Sequence, residues 1–227
     1  MEWKKESGPV KIKLIIFDLD GTLVDSSIDI TNALNYAIAP YDIEKIQGQK
    51  TIRLIGEGLT RLIEKLLGED KAGIKPDVLK RFLYYYGEHL ADFTRPYQGV
   101  TETLEKLENY KKAVISNKRE AFSKKLLAEL HLSEYFDVIL GSDSVAEKKP
   151  SPAPVYKVLE IMSLTPEEAV IVGDSNFDIE AGNAAGLKTI GVSYGYRDAS
   201  TLKDADFIID DIKALVLKLK ELALSNT

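Results

Sequence analysis

Six short, mainly apolar runs of strand length punctuate the chain: Ile12 with Leu14 to Phe17, Ala113 to Ile115, Val138 to Leu140, Ala169 to Val172, Thr189 to Val192 and Phe207 to Ile209. Apolar residues at successive positions are expected to be buried on both faces, as in parallel strands covered by helices. Helical spacing is expected between them, at about 101–108, 120–130, 152–162, 177–185 and 211–222. Strands alternating with helices at this pitch predict an α/β fold built on a doubly wound, Rossmann-like parallel sheet.

The stretch from 25 to 94 breaks that rhythm. Ile30, Ala33, Leu34 and Ala37 fall at i, i+3, i+4 and i+7, as do Leu59, Leu62, Ile63 and Leu66, and again Leu79, Phe82, Leu83 and Tyr86. No strand is expected there. The domain reading is a sheet core over 12–24 and 95–227, with a helical insert over 25–94. Pro96 and Gly99 mark the return to the sheet. Tyr84 to Tyr86 read as helix packing rather than substrate contacts.

Composition narrows the function. Lys and Arg number 30 against 36 Asp and Glu, a formal charge of −6. That balance argues against a grip on nucleic-acid phosphates. Runs such as Leu14–Phe17 and Ala169–Val172 are four residues long, far short of the roughly 18 that cross a bilayer, so no membrane partner is expected. Residues 1–11 carry three lysines and no apolar stretch and do not read as a secretory signal. The chain has no cysteine, which removes disulfides, thiolate metal sites and a Cys nucleophile. The cytoplasm is the expected compartment, and the expected assembly is a monomer or weak homodimer.

In a doubly wound sheet, ligands bind beyond the carboxyl ends of the strands. The first run ends in Asp18-Leu19-Asp20-Gly21-Thr22, the second in Ser116-Asn117-Lys118, and the run at 169–172 in Gly173-Asp174-Ser175 with Asp178 behind it; the loop after the Val138 run leads to Lys149-Pro150. Carboxylates, a hydroxyl and an ammonium are thus expected at one edge. Two carboxylates at 4 Å repel by about 4 kcal/mol at an effective dielectric of 20. A hard divalent cation relieves that repulsion, and oxygen-only ligands favour Mg²⁺. Such a set around one anion suits phosphoryl transfer.

Phe17-Asp18-Leu19-Asp20-Gly21-Thr22-Leu23-Val24-Asp25-Ser26 resembles the first motif of the haloacid-dehalogenase-like phosphohydrolases. Ser116, Lys149-Pro150-Ser151-Pro152 and Gly173-Asp174-Ser175-Asn176-Phe177-Asp178 match the second, third and fourth in order. Ile55-Gly56-Glu57-Gly58, Pro96-Tyr97-Gln98-Gly99-Val100, Ser116-Asn117-Lys118 and Val192-Ser193-Tyr194-Gly195-Tyr196 are most similar to the phosphoglycolate phosphatase branch. The resemblance implies Asp18 as nucleophile and Asp20 as the acid that protonates the leaving alkoxide and then activates water. It implies Mg²⁺ held by the Asp18 and Asp174 side chains and the Asp20 backbone carbonyl, with Asp178 supporting the metal. Ser116 and Lys149 would face the phosphoryl group, and Asn117 the substrate.

The insert resembles this family's mobile cap, which closes over the site. Gly56-Glu57-Gly58 precedes a helix and would offer backbone N–H groups to an anion. Arg53, Arg61 and Lys65 are expected to add positive charge for a substrate carboxylate, as 2-phosphoglycolate would present. The expected partner is a small phosphorylated metabolite.

Rival readings remain open on the residues alone. Asp178 in a first helical turn suits the macrodipole, Ser116 suits a helix cap, and Lys149 belongs to a Lys-Lys pair of the kind usually found on a surface. Inorganic pyrophosphate, a sugar phosphate or a phosphomutase reaction are alternatives within the family. A phosphorylation-switched signalling domain would also gather Asp, hydroxyl and Lys on a parallel sheet, but such domains are shorter and carry no helical insert. A dinucleotide-binding module is disfavoured because no G-x-G-x-x-G follows the first strand.

Overall fold

In the computed structural model, which describes residues 11–225, the first apolar run becomes β1 (Leu14–Phe17) and every one of its side chains is buried. Residues 1–10, which carry most of the stretch that does not read as a secretory signal, lie outside the described residues. β1 leads into a two-residue strand β2 (Val24–Asp25) and four helices: α1 (Ser27–Ile38), α2 (Gly48–Leu54), α3 (Leu59–Leu67) and α4 (Lys75–Glu88). The chain returns through β3 (Arg95–Pro96) to α5 (Val100–Lys106), β4 (Lys111–Ile115), α6 (Glu120–Glu129) and β5 (Val138–Leu140). It closes with α7 (Ala153–Met162), β6 (Ala169–Gly173), α8 (Asn176–Ala185), β7 (Lys188–Val192), β8 (Phe207–Ile209) and α9 (Ala214–Ser225).

Six strands form one parallel sheet in the order β5-β4-β1-β6-β7-β8. β1 therefore lies between the two halves, at the switch point where a doubly wound sheet opens a crevice. The two-residue strand period divides the core. Ile15 and Phe17 join one apolar layer with Leu104, Leu126, Leu215 and Leu219, while Leu14 and Ile16 join the opposite layer with Val155, Val158, Leu159 and Ala181. Helices thus cover both faces.

Burial on both faces does not extend to the sheet margins. Val138 and Ile139 in β5 are only partly covered and Ile208 in β8 is half exposed, because these strands form the two edges of the sheet. Among the described residues, no helix is long and apolar enough to cross a membrane.

Within the helical segment, Ile30, Ala33, Leu34 and Ala37 are all buried, as are Leu62, Ile63, Phe82 and Tyr86. The first apolar layer runs on without a break into this segment. Helix α2 has no apolar stripe to announce it; its one buried residue, Thr51, hydrogen-bonds Thr31 of α1 at 2.8 Å. The chain leaves and re-enters the sheet body through an antiparallel ribbon pairing Val24 with Pro96 and Asp25 with Arg95. Just inside it, the buried Asp29 carboxylate accepts hydrogen bonds from the Phe93 and Thr94 amides and the Thr94 hydroxyl, tying the end of the segment to its beginning.

Candidate active site

The parallel sheet sends the first residue beyond each strand to the same edge. Asp18 follows β1, and its amide still donates to Val172 O of β6 at 2.9 Å. Ser116 follows β4 and donates to Leu140 O of β5 at 3.0 Å; Asp174 follows β6. Two glycines let the backbone approach Asp174. Gly21 sits at φ +92° and Gly195 lies over the carboxylate; a Cβ at either would overlap Asp174.

Asp18, Asp174 and Asp178 converge, each with a carboxylate oxygen within 4.8 Å of the others. Lys149 reaches into the group from the loop after β5. Its ammonium donates to Asp18 Oδ1 (2.8 Å), Asp178 Oδ1 (2.5 Å) and Ile115 O (2.7 Å), which uses all three of its donors. Asp178 is fully engaged, because its Oδ2 accepts from the Ser175 amide (3.1 Å) and hydroxyl (2.6 Å) in a capping box that starts α8. It therefore caps a helix and holds Lys149 at once. Asp174 accepts from the Tyr196 amide at 2.7 Å and, through its other oxygen, from the Thr22 hydroxyl at 3.4 Å. Asp18 Oδ2 has no hydrogen bond from any described residue.

Three buried carboxylates against one ammonium leave the cluster short of positive charge. Burial, then the proximity of Asp178, push the Asp18 carboxyl well above the usual carboxylate range despite Lys149. The same two causes push Asp174 up to about 7. Burial opposes the Lys149 charge, yet Asp178 and Asp18 more than offset it and hold the ammonium above its ordinary range. A set of oxygen donors that resists ionising alone, with free valence on Asp18 and Asp174, fits a hard divalent cation.

The Asp20 side chain stands apart from this cluster. Its Oδ1 accepts from the Ser26 hydroxyl and from Lys118 Nζ, both at 2.5 Å. Ser116 is buried and caps no helix: α6 begins at Glu120, and the Ser116 hydroxyl accepts from the Lys118 amide at 3.2 Å. Asn117 donates to Lys149 O (3.0 Å) and to Gly56 O of the helical segment (2.8 Å).

A cavity of about 70 Å³ opens over this edge, room for about five waters. Its wall combines Asp18, Asp20, Ser116, Lys118 and Lys149 with Ile30, Ile55, Leu59, Leu62, Phe82 and Tyr86 from the helical segment. Gly56 and Gly58 also border it. Arg53, Glu57, Arg61 and Lys65 do not. Arg61 pairs with Glu64 at 2.9 Å and Lys65 with Glu57 on the outer face of α3, opposite the stripe that packs inward. Arg53 and Glu57 contribute carbonyls instead. Arg197 donates to Arg53 O at 3.0 Å and to Ile55 O, and Lys148 donates to Glu57 O at 2.6 Å, so core side chains hold this loop by its backbone.

Lys118 and Tyr86 were not foreseen as lining residues. Lys118 Nζ bridges Asp20 Oδ1 and the hydroxyl of Tyr86, the latter at 2.8 Å, and thereby links the strand edge to α4. Burial, against the attraction of Lys118, moves the Tyr86 hydroxyl up to about 12. Its neighbours in the tyrosine run differ: Tyr85 stacks on Tyr36 and His89, and Tyr84 is exposed.

Residues 15–192 match the model of the haloacid dehalogenase-like hydrolase family. A phosphoglycolate phosphatase of Aquifex aeolicus is 45% identical over 187 residues, covering 82% of this chain and 86% of that protein. One of Chromobacterium violaceum is 37% identical over 216 residues, covering 90% and 95%. A crystal structure described as a predicted phosphoglycolate phosphatase from Haemophilus somnus 129pt has a TM-score of 0.84 at 32% identity, over 92% of this chain and 98% of that one.

Proposed function

The chain belongs to the haloacid dehalogenase-like hydrolase family and is a phosphatase, and on that premise we propose that it uses Mg²⁺ to hydrolyse 2-phosphoglycolate through an aspartyl-phosphate at Asp18. The observation that carries this reading is the Asp18 carboxylate itself. One of its oxygens is held by Lys149, the other is unengaged among the described residues, and the carboxylate lies near Asp174 and on the wall of the cavity.

Asp18 Oδ2 attacks phosphorus in line; the new O–P bond forms as the bond to the leaving oxygen breaks. Asp20, anchored by Ser26 and Lys118, gives its proton to the departing alkoxide. It then takes one from the water that cleaves the acyl phosphate, restoring both carboxyls. Lys149 fixes the Asp18 rotamer and offsets charge as the dianion arrives, and the Ser116 hydroxyl donates to a phosphoryl oxygen. Asp18, Asp174 and the Asp20 carbonyl would hold the metal, and Asp178 orients the group through Lys149. When bound, Mg²⁺ supplies Lewis-acid charge on the phosphoryl oxygens.

Residues 25–94 act in this reading as a cap domain over a core of 12–24 and 95–227, excluding water while the intermediate forms. The relatives named above support phosphoglycolate among small phosphate esters. A Mg²⁺-dependent panel of 2-phosphoglycolate, ethyl phosphate, pyrophosphate and hexose phosphates, read by phosphate release, tests this. The highest kcat/KM is expected for 2-phosphoglycolate; higher efficiency on pyrophosphate or a hexose phosphate would replace it with one of the family alternatives.

A further inference from the structure

We propose that Lys118 is the residue that binds the substrate's carboxylate, so that selectivity for an acidic leaving group is set from the sheet edge rather than by the cations of the helical segment. The proposal rests on the 2-phosphoglycolate reading and names the group that would make it selective.

A second anionic group in this cavity needs a cationic partner, because burying an unpaired carboxylate is costly. Lys149 has no capacity left, with all three of its donors engaged. Arg61 and Lys65 are spent on Glu64 and Glu57 outside the cavity, and Arg53 does not border it. Ile30, Ile55, Leu59, Leu62, Phe82, Phe122 and Phe177 make much of the remaining wall apolar. Arg119 also borders the cavity, but its side chain is half exposed and lies 3.9 Å from Asp143. Lys118 alone among these cations is both buried, with its side chain 7% exposed, and short of partners. Two of its three donors go to Asp20 Oδ1 and Tyr86 Oη, and the third meets no acceptor among the described residues.

Its position fits a two-carbon acid. Asp20 Oδ1 is occupied, so the leaving oxygen meets Asp20 through Oδ2, and Lys118 Nζ then stands one carboxyl group away, about 5–7 Å from that oxygen. In glycolate the carboxylate lies about 3.5 Å beyond the leaving oxygen, and a hydrogen bond of about 2.8 Å closes the gap. The Tyr86 hydroxyl, from α4, is beside the same point.

The test compares kcat/KM for 2-phosphoglycolate and for ethyl phosphate, which lacks the carboxylate, in the wild type and in Lys118→Met, Lys118→Gln and Lys118→Arg. The ratio of the two efficiencies is expected to fall about 10- to 100-fold in Lys118→Met and Lys118→Gln, and to stay near wild type in Lys118→Arg. Should Lys118→Met not fold, Lys118→Gln carries the comparison, since it keeps a donor for Asp20 and Tyr86 without the charge. If both substrates lose efficiency equally, Lys118 only positions Asp20 and the proposal is overturned while the phosphoglycolate reading stands. If the wild type itself shows no preference for 2-phosphoglycolate, the substrate reading fails first, and the Lys118 proposal with it.

Discussion

Stripped of divalent ions, this protein should be less stable near pH 8 than near pH 5, the reverse of what paired surface carboxylates produce. Asp174 is 2% exposed. Its carboxyl is pushed from the usual 3.8 up to about 7, by burial first and by Asp178 second. A folded-state value above the unfolded one means that the native protein holds a proton which the unfolded chain releases. Stability therefore falls as pH rises from about 4 and levels off once the folded group has ionised, above about 7. At about 1.36 kcal/mol per pH unit the full rise is worth about 4 kcal/mol, somewhat more than half of it between pH 5 and pH 8. Asp18, displaced in the same direction by its own burial and by Asp178, adds to the slope. Carboxyls such as Glu64 and Glu168 are held below their ordinary range by hydrogen bonds from Lys75 and Lys13; their contribution is lost only in more acidic solution, outside this window. Urea unfolding in EDTA at about pH 5 and about pH 8, repeated with Mg²⁺, measures the effect. Mg²⁺ should stabilise more at the higher pH, since its ligands must be deprotonated. Asp174→Asn should flatten the EDTA profile and abolish the Mg²⁺ gain. Stability that is flat or rising from pH 5 to pH 8 in EDTA would refute the claim that these carboxylates are crowded together without enough positive charge.

Lys149→Met leaves Asp18 and Asp178 facing each other in the interior; it should cost about 3–5 kcal/mol in urea melts as well as nearly all phosphate release, and an unchanged melt would contradict the buried pairing. Gly21→Ala places a side chain at φ +92° and into the Asp174 carboxylate, so half-activation should need much more Mg²⁺; a wild-type titration would show that the two groups are not in contact. Arg53→Ala, Arg61→Ala and Lys65→Ala should each leave kcat/KM for 2-phosphoglycolate within about twofold, because all three side chains are exposed and none borders the cavity; a large loss confined to that substrate would return the carboxylate site to the helical segment.

What could be read before folding followed strand periodicity. Asp18, Ser116 and Asp174 each close an unbroken apolar run, and a parallel sheet carries all such ends to one edge. Arg61 and Lys65 could have been discounted by the same logic, because Leu59, Leu62, Ile63 and Leu66 already set the opposite face of α3 inward. The rest depends on tertiary neighbours. Phe207-Ile208-Ile209 is as apolar as the central runs, and only the strand order leaves Ile208 half exposed. Helix α2 is a seven-residue element with a single buried side chain, too short and polar to carry a period. Lys118 reads as an ordinary loop lysine until α4 brings Tyr86 against it, 32 positions away in sequence. Asp29 likewise shows its role only where residues 93 and 94 meet it.

The central claim is that the Asp18 carboxylate captures phosphorus. Rapid acid quench of enzyme turning over 2-phosphoglycolate with Mg²⁺, followed by peptide mass spectrometry, should find one added phosphoryl group on the peptide containing Asp18. Asp18→Asn should show no such group and no phosphate release. A phosphoryl group on another residue, or wild-type turnover by Asp18→Asn, would contradict the account.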